Sequence, residues 1–457
     1  MQQNTQYDVV ILGGRVMDPE SGLDAARNIA ISNGKILAIV EEDLRGVITL
    51  DANGLVLAPG FIDMHSHGQD PENYAIQVRD GVTTALELEI GTSDIDQWYE
   101  ERESVTIVNY GASIGHVPLR MEVIPDPGKL TPVADAATCP ATDSDIEEMV
   151  KGVDRGLKRG ALAVGFGISY TPAASRWEIL EIFRVASLYT APCHVHIRGK
   201  GLEGLEEVIA ASALTGAPLH VVHISSSGLE EAPHMLQVIM EARSRGMDIT
   251  TECYPYPTAM TEIGSATFDE GWEARTGMGY QHLEWTETGE RLTPESFARY
   301  RKQNGMVLMH FIPEDVVKKS VASPITSIAS DGFISGGKGH PRTAGTYTRT
   351  LGRFVRELGA PSLMDALRKM SLMPAQRLQT RAPVMEFKGR IKVGADADLV
   401  AFDPARVIDR ATYREPTLPP DGMVHVLVNG TPVICYGQFD EAVTPGQAVR
   451  APVGSAV

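Results

Sequence analysis

Between residues 55 and 378 the sequence alternates short apolar runs with longer amphipathic ones, and nothing else in the chain restricts the fold as tightly. The apolar runs fall at 60–64, 83–90, 106–114, 161–165, 192–197, 218–224, 248–253 and 325–329. Helical periodicity occupies 144–159, 176–189, 202–215 and 230–245 between them, and a further helix runs from Ser362 to about Leu378. Strands separated by helices must return in parallel, and eight of them predict a (β/α)8 TIM-like barrel.

The flanks follow a different rule. Residues 7–12 form an apolar strand that ends at Gly13-Gly14, read as a β-turn. Residues 29–31 and 35–40 flank Ser32-Asn33-Gly34, a strong hairpin signal. β alternation returns at 389–403 and at 424–436, around Asn429-Gly430. The two ends are expected to pair into one small β-sandwich. This gives an N-terminal sandwich part at 1–57, a barrel at 58–383 and a C-terminal sandwich part at 384–457. The small residues and prolines from Val443 onward predict a loosely ordered end.

Composition narrows the function. A net charge of −18 argues against a broad basic face for nucleic acid, but leaves room for a cationic pocket that takes an anionic small molecule. The four cysteines include no C-x-x-C pair and fit a reduced compartment. Residues 1–8 carry no apolar signal core, and no stretch is long enough to span a membrane, so a cytoplasmic location is expected.

Chemistry concentrates in Pro59-Gly60-Phe61-Ile62-Asp63-Met64-His65-Ser66-His67. Histidines two apart on a strand point to one side, and a barrel strand delivers them to the C-terminal face, where active sites lie. Imidazole is the commonest neutral ligand of zinc-like metals. His196, His223 and Asp331 close later strand candidates and can complete a one- or two-metal site. Asp331 can also carry a proton from water to a leaving amine; its plainer reading is a helix cap before the Gly-rich stretch 332–339. His194 shares the face of His196 lower in the barrel. His220, three residues before His223, is expected to face the other way.

These segments occur in a recognisable order. PGFIDMHSH is followed by GVTT (81–84), GHVPLR (115–120), GALAVGFGISYTP (160–172), HIR (196–198), YPY (254–256), SDG (330–332), HPRTAGTYTRTLG (340–352) and GRIKVGADADLVAFD (389–403). Over nearly its whole length the chain resembles the amidohydrolase superfamily, and within it the N-acyl-D-amino-acid deacylases, the D-aminoacylase and D-glutamate deacylase group. The resemblance implies hydrolysis of the amide of a small-molecule N-acyl-D-amino acid at one or two zinc-like ions, with no nucleic-acid or membrane partner. Homo-oligomers are common in that superfamily.

By motif, His65, His67 and Asp331 would form one metal position, and His196 and His223 the other. Asp331 would be general base and then general acid. Arg342 would hold the substrate α-carboxylate, and Tyr170 and Tyr254 would line the pocket. His116 would touch substrate near the barrel mouth. Arg198 would be a further cation at the metal face, or a salt-bridge partner behind it. Rival readings are opening of a cyclic amide, cleavage of an isoaspartyl dipeptide, and a barrel scaffold without catalysis. The family's bridging cysteine is missing, and Ile90 stands in its place. Glu87 and Glu89 share one face of that strand; Glu89 is the preferred bridge and Glu87 its alternative. Ser225-Ser226-Ser227 replaces a lysine usual after the sixth strand. Arg120, Arg275 and Arg291 are candidate partners for an acidic substrate side chain.

Overall fold

Eight parallel strands form a ring at the centre of the computed structural model, which describes residues 6–454. In order round the ring they are Phe61–Asp63, Val82–Thr92, Asn109–Gly115, Val164–Gly167, Cys193–His196, Leu219–Val221, Ile249–Cys253 and Thr326–Ile328. Each coincides with one of the eight apolar runs. Strands covered on both faces need continuous apolar sequence, which is why they could be read directly. Backbone bonds close the ring between first and last strands. Asp331 N donates to His65 O at 2.7 Å, and His67 N and Gly68 N both donate to Gly332 O at 3.0 Å.

The outer helices carry local start and stop signals. Asp143–Lys158 begins with a capping box between Thr142 and Asp145. Ser175 caps Arg176–Leu188, and Gly216 ends Gly201–Thr215 in the left-handed conformation, with φ of 76°.

The terminal β segments join each other, in one sheet. Strand Val56–Pro59 pairs antiparallel with Leu399–Phe402, linking both ends in one nine-stranded sheet. Val16, Ile29, Ile31, Leu57, Leu399 and Leu427 share its separate core. Asn33-Gly34 and Asn429-Gly430 make two-residue turns with positive φ at both positions. Gly13-Gly14 is a correction. It does not turn the chain but sits inside the continuous strand Tyr7–Asp18. Register shifts there against the neighbouring strand, and Asn28 Oδ1 accepts the Gly13 N–H at 2.8 Å, so the glycines make a bulge.

The C-terminal end is a second correction. Gly446 N donates to Thr106 O, Val449 N to Tyr110 O and Ala451 N to Gly160 O. Val449 and Ala451 are buried among Leu86, Leu88 and Leu162 at the barrel floor. Small residues let the segment lie flat on the barrel rather than leaving it loose.

One element has no counterpart in the sequence reading. Between the seventh and eighth barrel strands, Thr258–Glu262, Leu283–Trp285, Glu290–Arg291 and Met306–His310 form a four-stranded antiparallel sheet. It follows directly from the C-terminal end of a barrel strand, and so lies over the mouth.

Candidate metal centre

The first strand ends at Asp63, and the chain then carries His65 and His67 across the barrel mouth. Asp63 Oδ1 accepts the backbone N–H groups of His65 (3.1 Å) and Ser330 (3.0 Å), tying first and last strands together beneath the site. His65 Nδ1 lies 2.6 Å from Glu252 Oε1, and His67 Nδ1 lies 2.7 Å from Glu87 Oε2. A carboxylate behind each ring fixes its tautomer and turns Nε2 toward the site.

The two Nε2 atoms are 3.1 Å apart. Glu89 Oε2 stands 2.6 Å from that of His65 and 3.1 Å from that of His67. Asp331 Oδ1 lies 3.5 and 3.4 Å from the same two atoms. The other Glu89 oxygen, Oε1, lies 2.8 Å from His196 Nδ1. One carboxylate therefore touches both histidine sets. Glu87 does not reach between them, because its Oε1 accepts the backbone N–H groups of Ile90 (3.1 Å) and Gly91 (3.3 Å).

His223 completes the second set. Its Nδ1 is 3.0 Å from Ser227 Oγ, which leaves Nε2 for the site, and its ring centroid is 4.5 Å from that of His196. Its backbone is left-handed, with φ of 32°. That kink corrects the expectation for His220. The sixth strand stops at Val221, so counting alternate residues through His223 fails. His220 points inward, stacks on His194 at 4.4 Å and meets Glu252 Oε2 at 3.1 Å. His194 packs beneath the site, as its register with His220 requires.

The electrostatics fit a divalent cation. Donor atoms of His65, His67, Glu89 and Asp331 lie within 4.8 Å of one another, as do those of Glu89, His196 and His223. With Nδ1 of His65 and His67 engaged behind, their Nε2 atoms face each other and two carboxylate oxygens. Only positive charge among them makes that arrangement favourable. Burial opposes ionisation of Asp331, yet Arg342 and then His65 hold its carboxyl well below the usual range. Burial likewise opposes Glu89, but the three imidazoles hold it low. His223 is pushed down to about 3 by burial and then by His196, so it is neutral, the form that ligates.

Beside the centre opens a cleft of about 70 Å³ reached by Tyr170, His196, His223, Tyr254 and Asp331. Tyr170 and Asp331 also border a smaller adjoining space with Arg342. Arg342 is buried, its Nη1 lies 2.9 Å from Asp331 Oδ2, and its guanidinium packs 4.6 Å from the Tyr254 ring centroid. Among the described residues, neither Arg342 Nε nor Tyr254 Oη has a hydrogen-bond partner, although both are buried.

Other candidate substrate contacts have protein partners of their own. His116 is buried, stacked on Phe166, with Nε2 2.7 Å from Glu178 Oε1. Arg120 pairs with the same Glu178, which accounts for both groups as packing beneath the wall. Arg198 makes two bonds to Glu207, both at 2.9 Å, and further bonds to the carbonyls of Pro172 and Ala174, and it also borders an outer cavity. Arg291 pairs with Glu284, while Arg275 borders the same cavity. Glu252 was missed in the sequence. A charged residue inside the strand Ile249–Cys253 was the available signal.

Barrel, closing β-sheet and histidine–carboxylate centre define a class of metal-dependent hydrolase, and sequence comparison places the chain within it. The amidohydrolase family profile matches residues 129–434, and the protein belongs to that family. Among curated proteins, the chain is 28% identical to an N-acyl-D-glutamate deacylase of Alcaligenes xylosoxydans xylosoxydans, over 97% of each chain. It resembles the crystal structure of N-acyl-D-glutamate deacylase from Bordetella bronchiseptica, complexed with zinc and a phosphonate inhibitor. The TM-score is 0.84 at 26% identity, covering 98% of this chain and 100% of that one. A D-aminoacylase crystal structure follows, with a TM-score of 0.82 at 25% identity over 97% and 100% of the two chains.

Proposed function

We propose that the protein hydrolyses the amide bond of N-acyl-D-amino acids, releasing a carboxylate and a free D-amino acid. The observation that carries this reading is Asp331, which stands between the imidazole cluster and Arg342 at the edge of the cleft. A proton-handling carboxylate beside an anion-binding guanidinium suits an amide whose nitrogen bears a carboxylated carbon. The full-length likeness to deacylases supports the same substrate class.

His65, His67, Glu89 and Asp331 would hold one divalent ion, zinc in the first instance, and Glu89, His196 and His223 a second. Such an ion supplies Lewis acidity toward the acyl carbonyl. Asp331, ionised at neutral pH, accepts the proton of the attacking water and returns it to the departing amine nitrogen. Arg342 holds the α-carboxylate through its unpaired Nε–H, which positions the scissile bond against Asp331. Tyr254 Oη, buried without a partner, donates to a substrate oxygen, and Tyr170 closes the cleft on the His196 side. Glu252 and Glu87 keep the histidine rings turned. No helix among the described residues is long and apolar enough to cross a membrane, and the four free cysteines suit a reduced cytoplasm.

A panel of N-acetyl-D- and N-acetyl-L-amino acids, cyclic imides and β-aspartyl dipeptides tests the reading on zinc-loaded protein. D-selective deacylation is expected, and Asp331→Asn should lower kcat by about 10²–10⁴-fold. Turnover confined to cyclic imides or β-aspartyl dipeptides would overturn the substrate class. Near-normal turnover by Asp331→Asn with metal bound would overturn the role of Asp331.

A further inference from the structure

Lys200 precedes the helix Gly201–Thr215 and stands in the wall of the same cleft as His196, His223 and Asp331. It also borders the larger outer cavity, so it marks the boundary between the two. The side chain is half-buried, and it has no carboxylate within ion-pair distance among the described residues. Its Nζ donates to the Thr276 carbonyl at 3.3 Å and lies 4.2 Å from the centroid of the Phe311 ring. Burial pushes its ammonium down to about 8, with only the more distant Glu230 acting the other way.

The fold gains little from a cation in this position. Lys200 makes no capping hydrogen bond to its helix, and positive charge at a helix N-terminus is unfavourable. A partly buried ammonium without a counter-charge is costly unless an anion reaches it. The cleft leading to it is lined by Met260, Met278, Met309 and Phe311. A partly apolar cleft with a cation in its wall, which it shares with Ser226, Ser227 and Thr267, fits an aliphatic chain ending in a carboxylate. Arg342 borders the adjoining space on the Asp331 side, so the two cations belong to different parts of the cleft system.

We propose that Lys200 recognises a second carboxylate of the substrate, carried either on the amino-acid side chain or at the far end of the acyl group. The substrate class here rests on the deacylase reading above; the anion preference of Lys200 does not depend on turnover.

Two measurements on zinc-loaded protein separate the claims. The first compares kcat/KM of wild type, Lys200→Met and Lys200→Arg for N-acetyl-D-glutamate, N-succinyl-D-leucine and N-acetyl-D-leucine. The second titrates the same compounds calorimetrically into Asp331→Asn, with and without Lys200→Met, so that binding is read without consumption. Loss of the ammonium should weaken one of the two dicarboxylates about tenfold or more relative to N-acetyl-D-leucine, and Lys200→Arg should recover part of that loss. The dicarboxylate that suffers identifies the side chain or the acyl group as the source. Equal effects on all three compounds, or no effect, would overturn the proposal while leaving deacylation intact. Selective binding without any hydrolysis would keep Lys200 as an anion site and remove the deacylase reading. No binding and no hydrolysis would remove both.

Discussion

Glu89 and Glu252 are both buried carboxylates that touch His65, yet they meet opposite ends of its ring. Glu89 faces Nε2 and also reaches His67 and His196, whereas Glu252 takes Nδ1 and reaches His220 besides. Glu89→Gln therefore removes charge shared by both ligand sets, and metal content by mass spectrometry should fall below one ion per chain with activity lost. Glu252→Gln leaves the donor atoms in place but frees the ring, so a loss of about 10–100-fold in metal affinity or kcat/KM is expected. Equal metal content in wild type and Glu89→Gln would show that the carboxylate is not shared. A pH dependence follows at the same atoms. Burial lowers the pKa of His65, but Asp331, Glu89 and Glu252 raise it well above the ordinary value; for His67, Glu87 leads the raising groups. Metal must displace protons from both rings, so zinc affinity should fall as pH falls. Calorimetry in buffers of different ionisation enthalpy should register proton release at neutral pH. Of these residues the sequence marked the pair of histidines and left the two glutamates of the second strand to be separated by geometry. Glu252 is a single carboxylate in the seventh strand, and only the fold brings it against His65 and His220.

At the level of elements, Asp80 joins the turn after helix Pro71–Arg79 to helix Arg342–Arg349, which starts at the residue assigned to the substrate carboxylate. It accepts the backbone N–H groups of Tyr347 (2.8 Å) and Thr348 (2.9 Å) and the Thr348 hydroxyl. Burial pushes its carboxyl up to about 7 from an ordinary 3.8, against those hydrogen bonds. The folded form thus binds the proton more tightly than the unfolded chain. Its stabilising contribution is full below about 4 and is lost as pH rises through 7. Asparagine keeps one acceptor oxygen for Thr348, turns an NH2 donor toward the Tyr347 N–H, and does not titrate, so it costs a bond at every pH. The difference in unfolding temperature between wild type and Asp80→Asn should therefore shift against wild type from pH 4 to pH 8; a difference that stays constant would show that Asp80 is ionised throughout. Elements were legible in proportion to their locality. The barrel strands announce themselves by apolar runs and the helices by caps. The sheet over the mouth does not, because its strands are two to five residues long and pair across intervening helices. His220 was misplaced because a two-residue repeat holds only while the backbone stays extended, and His223 does not.

On the scale of the whole molecule, the centre gathers side chains from five of the eight strand ends: His65 and His67 after the first, Glu89 on the second, His196 on the fifth, His223 after the sixth and Asp331 after the eighth. The barrel geometry makes this convergence possible, but it also concentrates Glu87, Glu89, Glu252 and Asp331 in a buried space within a chain of net charge −18. A cation held by the native centre and not by the unfolded chain adds RT ln(1 + [L]/Kd), about 2.7 kcal/mol at a hundredfold excess over Kd. Zinc should accordingly raise the unfolding temperature of chelator-treated protein by several degrees, followed by scanning calorimetry. Glu89→Gln should flatten that response, since one oxygen pair serves both ligand sets. Lys200→Met should keep it, because that ammonium lies on the cleft wall and not among the donors. Equal zinc responses in wild type and Glu89→Gln would place the bound ion outside the centre, and the convergence of five strand ends would then have to be explained by the imidazole–carboxylate pairs alone.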